Sequence, residues 1–135
     1  MTKFLIEIVL FIQAIKNGEY GLILKIRDSS LSKYKLPFET LTDEQPQVLV
    51  ENLIKEICGI EAKWIFIKQE GMYNIGEVLN YDYYDNVLKI IYSCNIHLDF
   101  LELNKDYMFV PLKQINGSQC LNNEDRKVLN YVFNI

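Results

Sequence analysis

The feature that most constrains the fold of this chain is a helix that the sequence bounds at both ends. Between Pro46 and Cys58, apolar residues recur at three- and four-residue spacing, the period of a helix with one buried face. These residues are Leu49, Val50, Leu53, Ile54 and Ile57. Pro46 suits the first helical turn, and Gly59 suits the left-handed position after the last turn. We therefore expect one face of this helix to pack on a core.

The rest of the chain is dominated by segments typical of strands. Residues 4–15 and 20–26 are rich in Ile, Leu and Val, and Asn17-Gly18 between them predicts a hairpin. Further short strands are predicted at 34–36, 62–68, 87–97 and 107–111. Loops are predicted at 27–35 and 38–45, a strand edge followed by a loop at 69–86, and a closing helix at 122–133. A long helix between strands and a second helix after them indicate an α/β sandwich with a mixed sheet.

Composition bounds the class of protein. The chain has 135 residues, half of them apolar, and a net charge of -4. This length fits one domain, 1–135, and the acidic balance argues against a nucleic-acid partner. No segment reaches the 18 or more apolar residues of a membrane-spanning helix, and 1–15 is interpreted as a buried strand rather than a secretory signal. Three cysteines without a Cys-x-x-Cys pair suggest buried thiols in a reducing cytoplasm.

The segment 36–60 resembles the Nudix box, the motif of hydrolases that act on a nucleoside diphosphate linked to another moiety. That pattern runs Gly, five residues, Glu, seven residues, then Arg-Glu-apolar-any-Glu-Glu-any-Gly-apolar, and it normally follows Leu-Pro. The positions in register are Leu36-Pro37, Glu44, Ile54, Glu56, Gly59 and Ile60. Because the predicted elements also follow the Nudix order, the resemblance implies a Nudix-like α/β/α sandwich with a mixed, mainly antiparallel sheet.

Four positions depart from the box. Phe38 stands where the glycine belongs, Asn52 replaces the arginine, and Leu53 and Ile57 replace two of the three helical glutamates. If the glycine position requires positive φ, Phe38 is strained there, and Asn52 cannot make the bidentate contact of an arginine. In a Nudix fold, Leu53 and Ile57 are expected to line the floor of the old cleft, which becomes apolar.

The family holds Mg or Mn with carboxylates, because hard divalent cations need several oxygen ligands. Glu44 and Glu56 are the remaining catalytic candidates, and Glu56 is the remaining, weak metal ligand. The resemblance therefore implies an inactive or weak hydrolase. The competing interpretation is an ordinary amphipathic helix that carries Glu44 and Glu56 as surface charges. Glu51, four residues before Lys55, is interpreted as its surface ion-pair partner.

Candidates for binding a nucleotide-type ligand are Arg27, Phe38, Tyr73 and Tyr83, since aromatic side chains can stack a base. Packing in the core or at an interface is the favoured role for most of the tyrosines. The lone histidine, His97, is interpreted as a core or edge residue.

Three functions remain open from the sequence. One is a binder of a nucleotide-like molecule or a protein, without appreciable hydrolysis. Another is an active Mg- or Mn-dependent pyrophosphohydrolase that adds carboxylates from elsewhere to Glu44 and Glu56. The carboxylates proposed for this role are Glu77, Asp82 and Asp85. The third is a homodimeric or hetero-complex interaction subunit that uses the apolar cleft floor or the tyrosine-rich loop.

Overall fold

The fold is an α/β/α sandwich built on one mixed sheet. The computed structural model describes residues 4–27, 32–76, 86–98, 101–117 and 120–133. The strands are β1 (Phe4–Lys16), β2 (Glu19–Ile26), β3 (Tyr34–Lys35), β4 (Phe38–Thr40), β5 (Ile67–Gly76), β6 (Asn86–His97) and β7 (Tyr107–Pro111). The helices are α1 (Pro46–Cys58), α2 (Leu112–Ile115) and α3 (Asn123–Phe133), with a 3₁₀ turn at Ala62–Trp64. Among these described residues, no helix has the length and apolar character needed to cross a membrane.

The seven described strands form one sheet whose main path is β3-β2-β1-β6-β5. Strand β4 pairs with β1, and β7 pairs with β2. The β1–β6 pair is parallel, from Phe4 opposite Asn86 to Ile15 opposite His97, whereas the other pairs are antiparallel. The sheet is therefore mixed and mainly antiparallel, as the sequence predicts.

Strand β1 lies in the centre of the sheet, and its side chains point alternately into two cores, one on each face of the sheet. Ile8, Leu10 and Ile12 belong to the core beneath α1. Val9 and Phe11 belong to the core beneath α3. Because successive side chains of a strand point to opposite faces, one apolar strand supplies both layers.

Helix α1 has the predicted bounds. It begins at Pro46 and ends at Cys58. Gly59 has a φ of 70°, and its N–H donates to the carbonyl oxygen of Lys55 at 2.9 Å. A left-handed residue in this position satisfies a carbonyl group that the helix end would otherwise leave unpaired.

Several other sequence predictions are confirmed. Asn17 and Gly18 have φ values of 51° and 79°, which are those of a tight hairpin turn. Strand β7 matches its predicted range, and β6 begins one residue before its predicted start. The closing helix predicted at 122–133 is α3, and of Asn122 and Asn123, the two residues the sequence offers as its cap, Asn122 fills the role, because its side-chain Oδ1 accepts a hydrogen bond from the N–H of Asp125 at 2.8 Å.

Two predictions of local structure are wrong. Residues 38–40, predicted as loop, form β4 because Phe38 lies opposite Val9 of β1, a pairing distant in sequence. Residues 62–68, predicted as strand, begin with the 3₁₀ turn, and β5 starts only at Ile67. The N–H of Ile65 bonds the carbonyl of Ala62 at 3.2 Å, so a local turn takes a donor that a strand would have paired.

The segment 69–86 was predicted as a strand edge followed by a loop, and it is strand as far as Gly76, where β5 ends. Residues 77–85, including Tyr83, lie outside the described residues. The three cysteines are buried, as predicted.

Candidate functional site

The two positions that the resemblance assigns to replaced glutamates are part of the core. Leu53 is 4% exposed and Ile57 is 0% exposed, and both belong to the cluster between α1 and the sheet. The expectation that they line an open, apolar cleft is therefore wrong. Their spacing places them on the helix face that covers β1 and β6, where apolar side chains are excluded from water.

The carboxylates that remain in the box lie at the surface. Glu44 and Glu56 are exposed, as is Asn52. Among the described residues, no three His, Cys, Asp or Glu side chains are grouped so that they could hold a metal ion. Within the described ranges, the residues therefore do not fit the Mg or Mn site that the resemblance implies, since a hard cation requires several converging oxygen atoms.

The predicted ion pair between Glu51 and Lys55 is also wrong. Lys55 Nζ lies 2.9 Å from Glu61 Oε1, beyond the end of the helix. Glu51 Oε1 instead accepts a hydrogen bond from Gln47 Nε2 at 3.3 Å. Both contacts are exposed, so neither positions a group for chemistry.

Glu56 acts electrostatically on Tyr107, a residue that the sequence did not single out. The pKa of Tyr107 is raised to about 12, first by burial and then by the charges of Glu56, Glu39 and Asp106. Glu39 reaches this place because β4 sets it opposite Ile8, whose side chain packs beneath α1. The effect of Glu39 on Tyr107 therefore depends on the β4–β1 pairing, which the local sequence pattern did not reveal.

Phe38 is not strained. Among the described non-glycine residues only Asn17 has a positive φ, so the expected strain at Phe38 is wrong. Phe38 is half-buried in β4 and packs on the core beneath α3. The Nζ of Lys35 lies 4.6 Å from the centre of its ring, a cation–π distance.

Arg27 lies among other cations at the end of β2. It is half-buried, and its N–H donates to the carbonyl oxygen of Lys33 at 2.8 Å. Lys25, two residues earlier, lies directly opposite Lys35 of β3. Lys25 also lies opposite Tyr107 of β7, the residue on which the carboxylates Glu39 and Glu56 act.

Tyr73 lies on the other face of the sheet from Glu56. It is half-buried against the core beneath α3, and its ring centre lies 5.2 Å from that of Tyr131. The structure therefore gives Tyr73 a packing contact and does not bring it together with the box. The other proposed residues of the tyrosine-rich loop, Glu77, Asp82, Tyr83 and Asp85, lie outside the described residues. His97 is exposed at the end of β6.

Charged side chains are buried beneath α3, a feature that the sequence analysis did not single out. Lys89 Nζ lies 3.9 Å from Glu7 Oε1, and both side chains are 2% exposed. Asp125 is also buried and accepts a hydrogen bond from the N–H of Leu36 at 3.1 Å. Burial raises the pKa of Asp125, against the opposing effects of Lys35, the Leu36 N–H and Lys89.

No protein-family model and no curated protein matches the sequence. Solved structures do match the fold. The NUDIX domain of Shewanella oneidensis NrtR, complexed with ADP ribose, has a TM-score of 0.71 at 13% identity, covering 96% of this chain and 86% of that chain. Against the longer structure of NrtR, the TM-score is 0.72 at 12% identity, covering 94% of this chain and 60% of that one.

Two further solved structures, from proteins with different roles, also match the fold. The Ap4A hydrolase of C. elegans has a TM-score of 0.66 at 12% identity, covering 99% of this chain and 97% of that chain. The C-terminal domain of mouse MUTYH, in complex with human PCNA, has a TM-score of 0.67 at 13% identity, covering 93% and 85%. The chain therefore has the Nudix fold. A shared fold does not fix an activity.

Proposed function

We propose that this protein binds a nucleotide-type ligand on a Nudix fold without appreciable hydrolysis. The observation that carries the proposal is the burial of Leu53 and Ile57, which occupy the positions of two metal-binding glutamates. An apolar side chain has no lone pair for a cation, and a buried position is closed to the water that would hydrate one. Glu56 alone offers too few oxygen ligands for such a site.

The ligand class is supported by the fold and by the charges beside the box. The matching NUDIX domain of NrtR was solved with ADP ribose, a nucleotide-type molecule. In this chain, Lys25 lies opposite Tyr107 of β7, and Arg27 follows two residues later, just past the end of β2. Cations of this kind suit phosphate groups.

The test combines turnover and binding. We expect the purified protein to bind ADP ribose or a related nucleoside diphosphate derivative by calorimetry. We expect no product from these compounds or from Ap4A with Mg²⁺ or Mn²⁺, because the part of the chain that the structure describes groups too few oxygen ligands for the ion.

The alternative of an active pyrophosphohydrolase predicts the opposite result. Turnover of about 1 per second, a common enzyme rate, that disappears in Glu56→Gln would contradict the proposal and identify Glu56 as a working carboxylate. Glu51→Gln, an exchange of the same kind on the same helix, is the control, since Glu51 faces away from Glu56.

A second candidate function is an interaction subunit. The observation that favours it is the exposure of two large aromatic side chains, Trp64 at 74% and Phe66 at 80%, before β5. Exposed aromatic residues are enriched at protein interfaces. With Leu53 and Ile57 buried, this pair replaces the apolar cleft floor as the candidate contact.

Light scattering over a wide concentration range tests the homodimeric form of this candidate. A dimer should become a monomer when Trp64 and Phe66 are both changed to Ser. A wild-type protein that stays monomeric throughout would exclude a homodimer that uses this pair.

A further inference from the structure

A cavity opens on the face of the sheet that α3 covers, beside the end of that helix. Its volume is about 170 Å³. Its apolar walls include Tyr20 and Leu22 of β2, Leu112 of α2, and Leu129 and Phe133 of α3. Tyr20 and Leu112 are large and exposed, so apolar surface in this cavity remains in contact with water. We call this cavity the apolar chamber.

A second cavity, of about 390 Å³, meets the apolar chamber at Gln13 and Tyr20, which line both. Its other walls include Asn95 and His97 of β6. The strand register brings these side chains together. Gln13 lies directly opposite Asn95, and Ile15 lies between Tyr20 on β2 and His97 on β6. We call this cavity the polar chamber.

The side chains that line the two chambers lie on the opposite face of the sheet from α1 and the box. Val9 and Phe11 of β1 point toward α3, and Gln13 continues this alternation. Residues paired across neighbouring strands share a face, so Asn95 points to the same side. The proposed function, which is built on α1 and its surroundings, therefore does not use these chambers.

Gln13 stands at the boundary between the two chambers. Its neighbour on β2 is Leu22, which is buried, and its neighbour on β6 is Asn95, which is exposed. Gln13 itself is half-buried. In the described part of the chain, the side chains of Gln13, Asn95 and His97 form no hydrogen bond with another protein group. Two adjacent amides, each with an acceptor oxygen and two donor hydrogens, are therefore available to a bound molecule.

The walls of both chambers are without formal charge. None of the described residues that line them is Lys, Arg, Asp or Glu. Glu19 and Lys113, which follow or precede wall residues in sequence, pair with each other at 3.7 Å and so join the start of β2 to α2. An ionised ligand would lose water here without meeting an opposite charge, whereas a neutral group with a donor and an acceptor would meet the amides.

We propose that the two chambers together bind a small uncharged molecule in which one ring is attached to a carboxamide group. The apolar chamber has the size for one six-membered ring, since a cavity of about 150 Å³ in another protein holds benzene. The carboxamide of the ligand lies at Gln13 and Asn95, where it donates and accepts hydrogen bonds. Burial of Tyr20 and Leu112 by the ring supplies the apolar part of the binding free energy. Mostly apolar walls with a few polar groups that fix orientation are typical of small-molecule sites.

An NMR titration of the full chain with phenylacetamide tests the proposal. We expect saturable binding that is at least fivefold tighter than that of two related probes. Phenylacetate has the same ring and nearly the same shape but carries a charge, and toluene lacks the polar group. Equal affinities for the three probes would overturn the proposal. So would the absence of saturable binding up to the solubility limit of phenylacetamide.

The variant Gln13→Leu tests the amide, because it keeps an apolar side chain of similar size and removes the hydrogen-bonding group. It should weaken phenylacetamide binding at least fivefold and leave toluene binding within twofold of wild type, a difference that a general loss of structure would not produce. Gln69→Leu is the matched control, since it makes the same exchange at an exposed position of β5 outside both chambers. It should change neither affinity more than twofold.

The variant Leu112→Ser tests the apolar wall and should weaken the binding of phenylacetamide and toluene alike, at least threefold. Val48→Ser is its matched control, because Val48 is an exposed apolar residue of α1, across the sheet from the chambers. Circular dichroism verifies that each variant is folded. Phenylacetamide binding that is unchanged in both Gln13→Leu and Leu112→Ser would overturn the proposal, since the ligand would then lie elsewhere.

The site is independent of the proposed function, and a competition experiment separates the two. We expect ADP ribose to bind with unchanged affinity at saturating phenylacetamide, because α1 and the chambers lie on opposite faces of the sheet. Displacement of phenylacetamide by ADP ribose would overturn the inference of a separate site. A protein that binds phenylacetamide but not ADP ribose would support the chambers and overturn the proposed function.

Discussion

At the scale of single residues, Asp125 connects parts of the chain that are far apart in sequence. It lies in the first turn of α3, yet its carboxylate accepts the N–H of Leu36 in the connection between β3 and β4. Leu36 is 1% exposed, so its N–H has little access to water. A buried donor without an acceptor costs about 1–3 kcal/mol. The carboxylate therefore attaches α3 to the Leu-Pro segment of the box.

The charge of Asp125 has a cost of its own. Because burial raises its pKa above the ordinary 3.8, the folded protein binds the proton more tightly than the unfolded chain. Binding of that proton therefore stabilises the folded protein. The stabilisation is complete in acid, below the ordinary pKa, and it is lost as the pH rises through the raised pKa.

We predict that Asp125→Asn and Asp125→Ala differ. Asn keeps an acceptor for the Leu36 N–H and removes the buried charge, so its free energy of unfolding at pH 7 should equal or exceed that of wild type. As the pH rises above 3.8, the free energy of unfolding of Asp125→Asn should also fall less steeply than that of wild type. Ala should lose about 1–3 kcal/mol. Urea unfolding between pH 4 and 8 measures both, and equal destabilisation by Asn and Ala at pH 7 would contradict this account.

At the scale of elements, α1 is an amphipathic helix that uses one face for packing. Its inward side chains include Val50 and Ile54, both 0% exposed, beside the two residues that replace glutamates. Restoring the family's carboxylates one at a time would therefore place charge in the core rather than recreate a metal site. A buried, unpaired charge is strongly destabilising.

We predict that Ile57→Glu lowers the free energy of unfolding by on the order of 3–5 kcal/mol, the range for an uncompensated buried charge. Asn52→Glu is the matched control. It adds the same charge to an exposed position of the same helix, so its effect should stay within about 0.5 kcal/mol. Chemical unfolding of both variants makes the measurement. A well-folded Ile57→Glu protein that binds Mn²⁺ would show that α1 can turn this face to solvent.

At the scale of the whole molecule, the sequence predicted what depends on local pattern. The bounds of α1 followed from Pro46, Gly59 and the apolar period, and the hairpin followed from Asn17-Gly18. The sequence did not predict β4, because Phe38 becomes a strand residue only by pairing with Val9. In the same way, Lys25 and Lys35 become neighbours only through the β2–β3 register.

The site was harder to predict than the fold. A motif alignment identifies which residue replaced a glutamate, but not which way the new side chain turns. Ile57 was therefore expected in a cleft and lies instead in the core. The aromatic character of Tyr73 likewise gave no indication of which face of the sheet it would occupy, and it packs against Tyr131.

The parallel pairing of β1 with β6 also affects how the chain must fold during synthesis. Phe4 lies opposite Asn86, so the two strands are on the order of 80 residues apart in sequence. A ribosome releases β1, with its apolar faces on both sides, long before its partner exists. At about 5–20 residues per second, β1 waits several seconds for β6. Until then β2, β4 and α1 are the described elements that can cover β1, and the edge of β1 that pairs with β6 stays open.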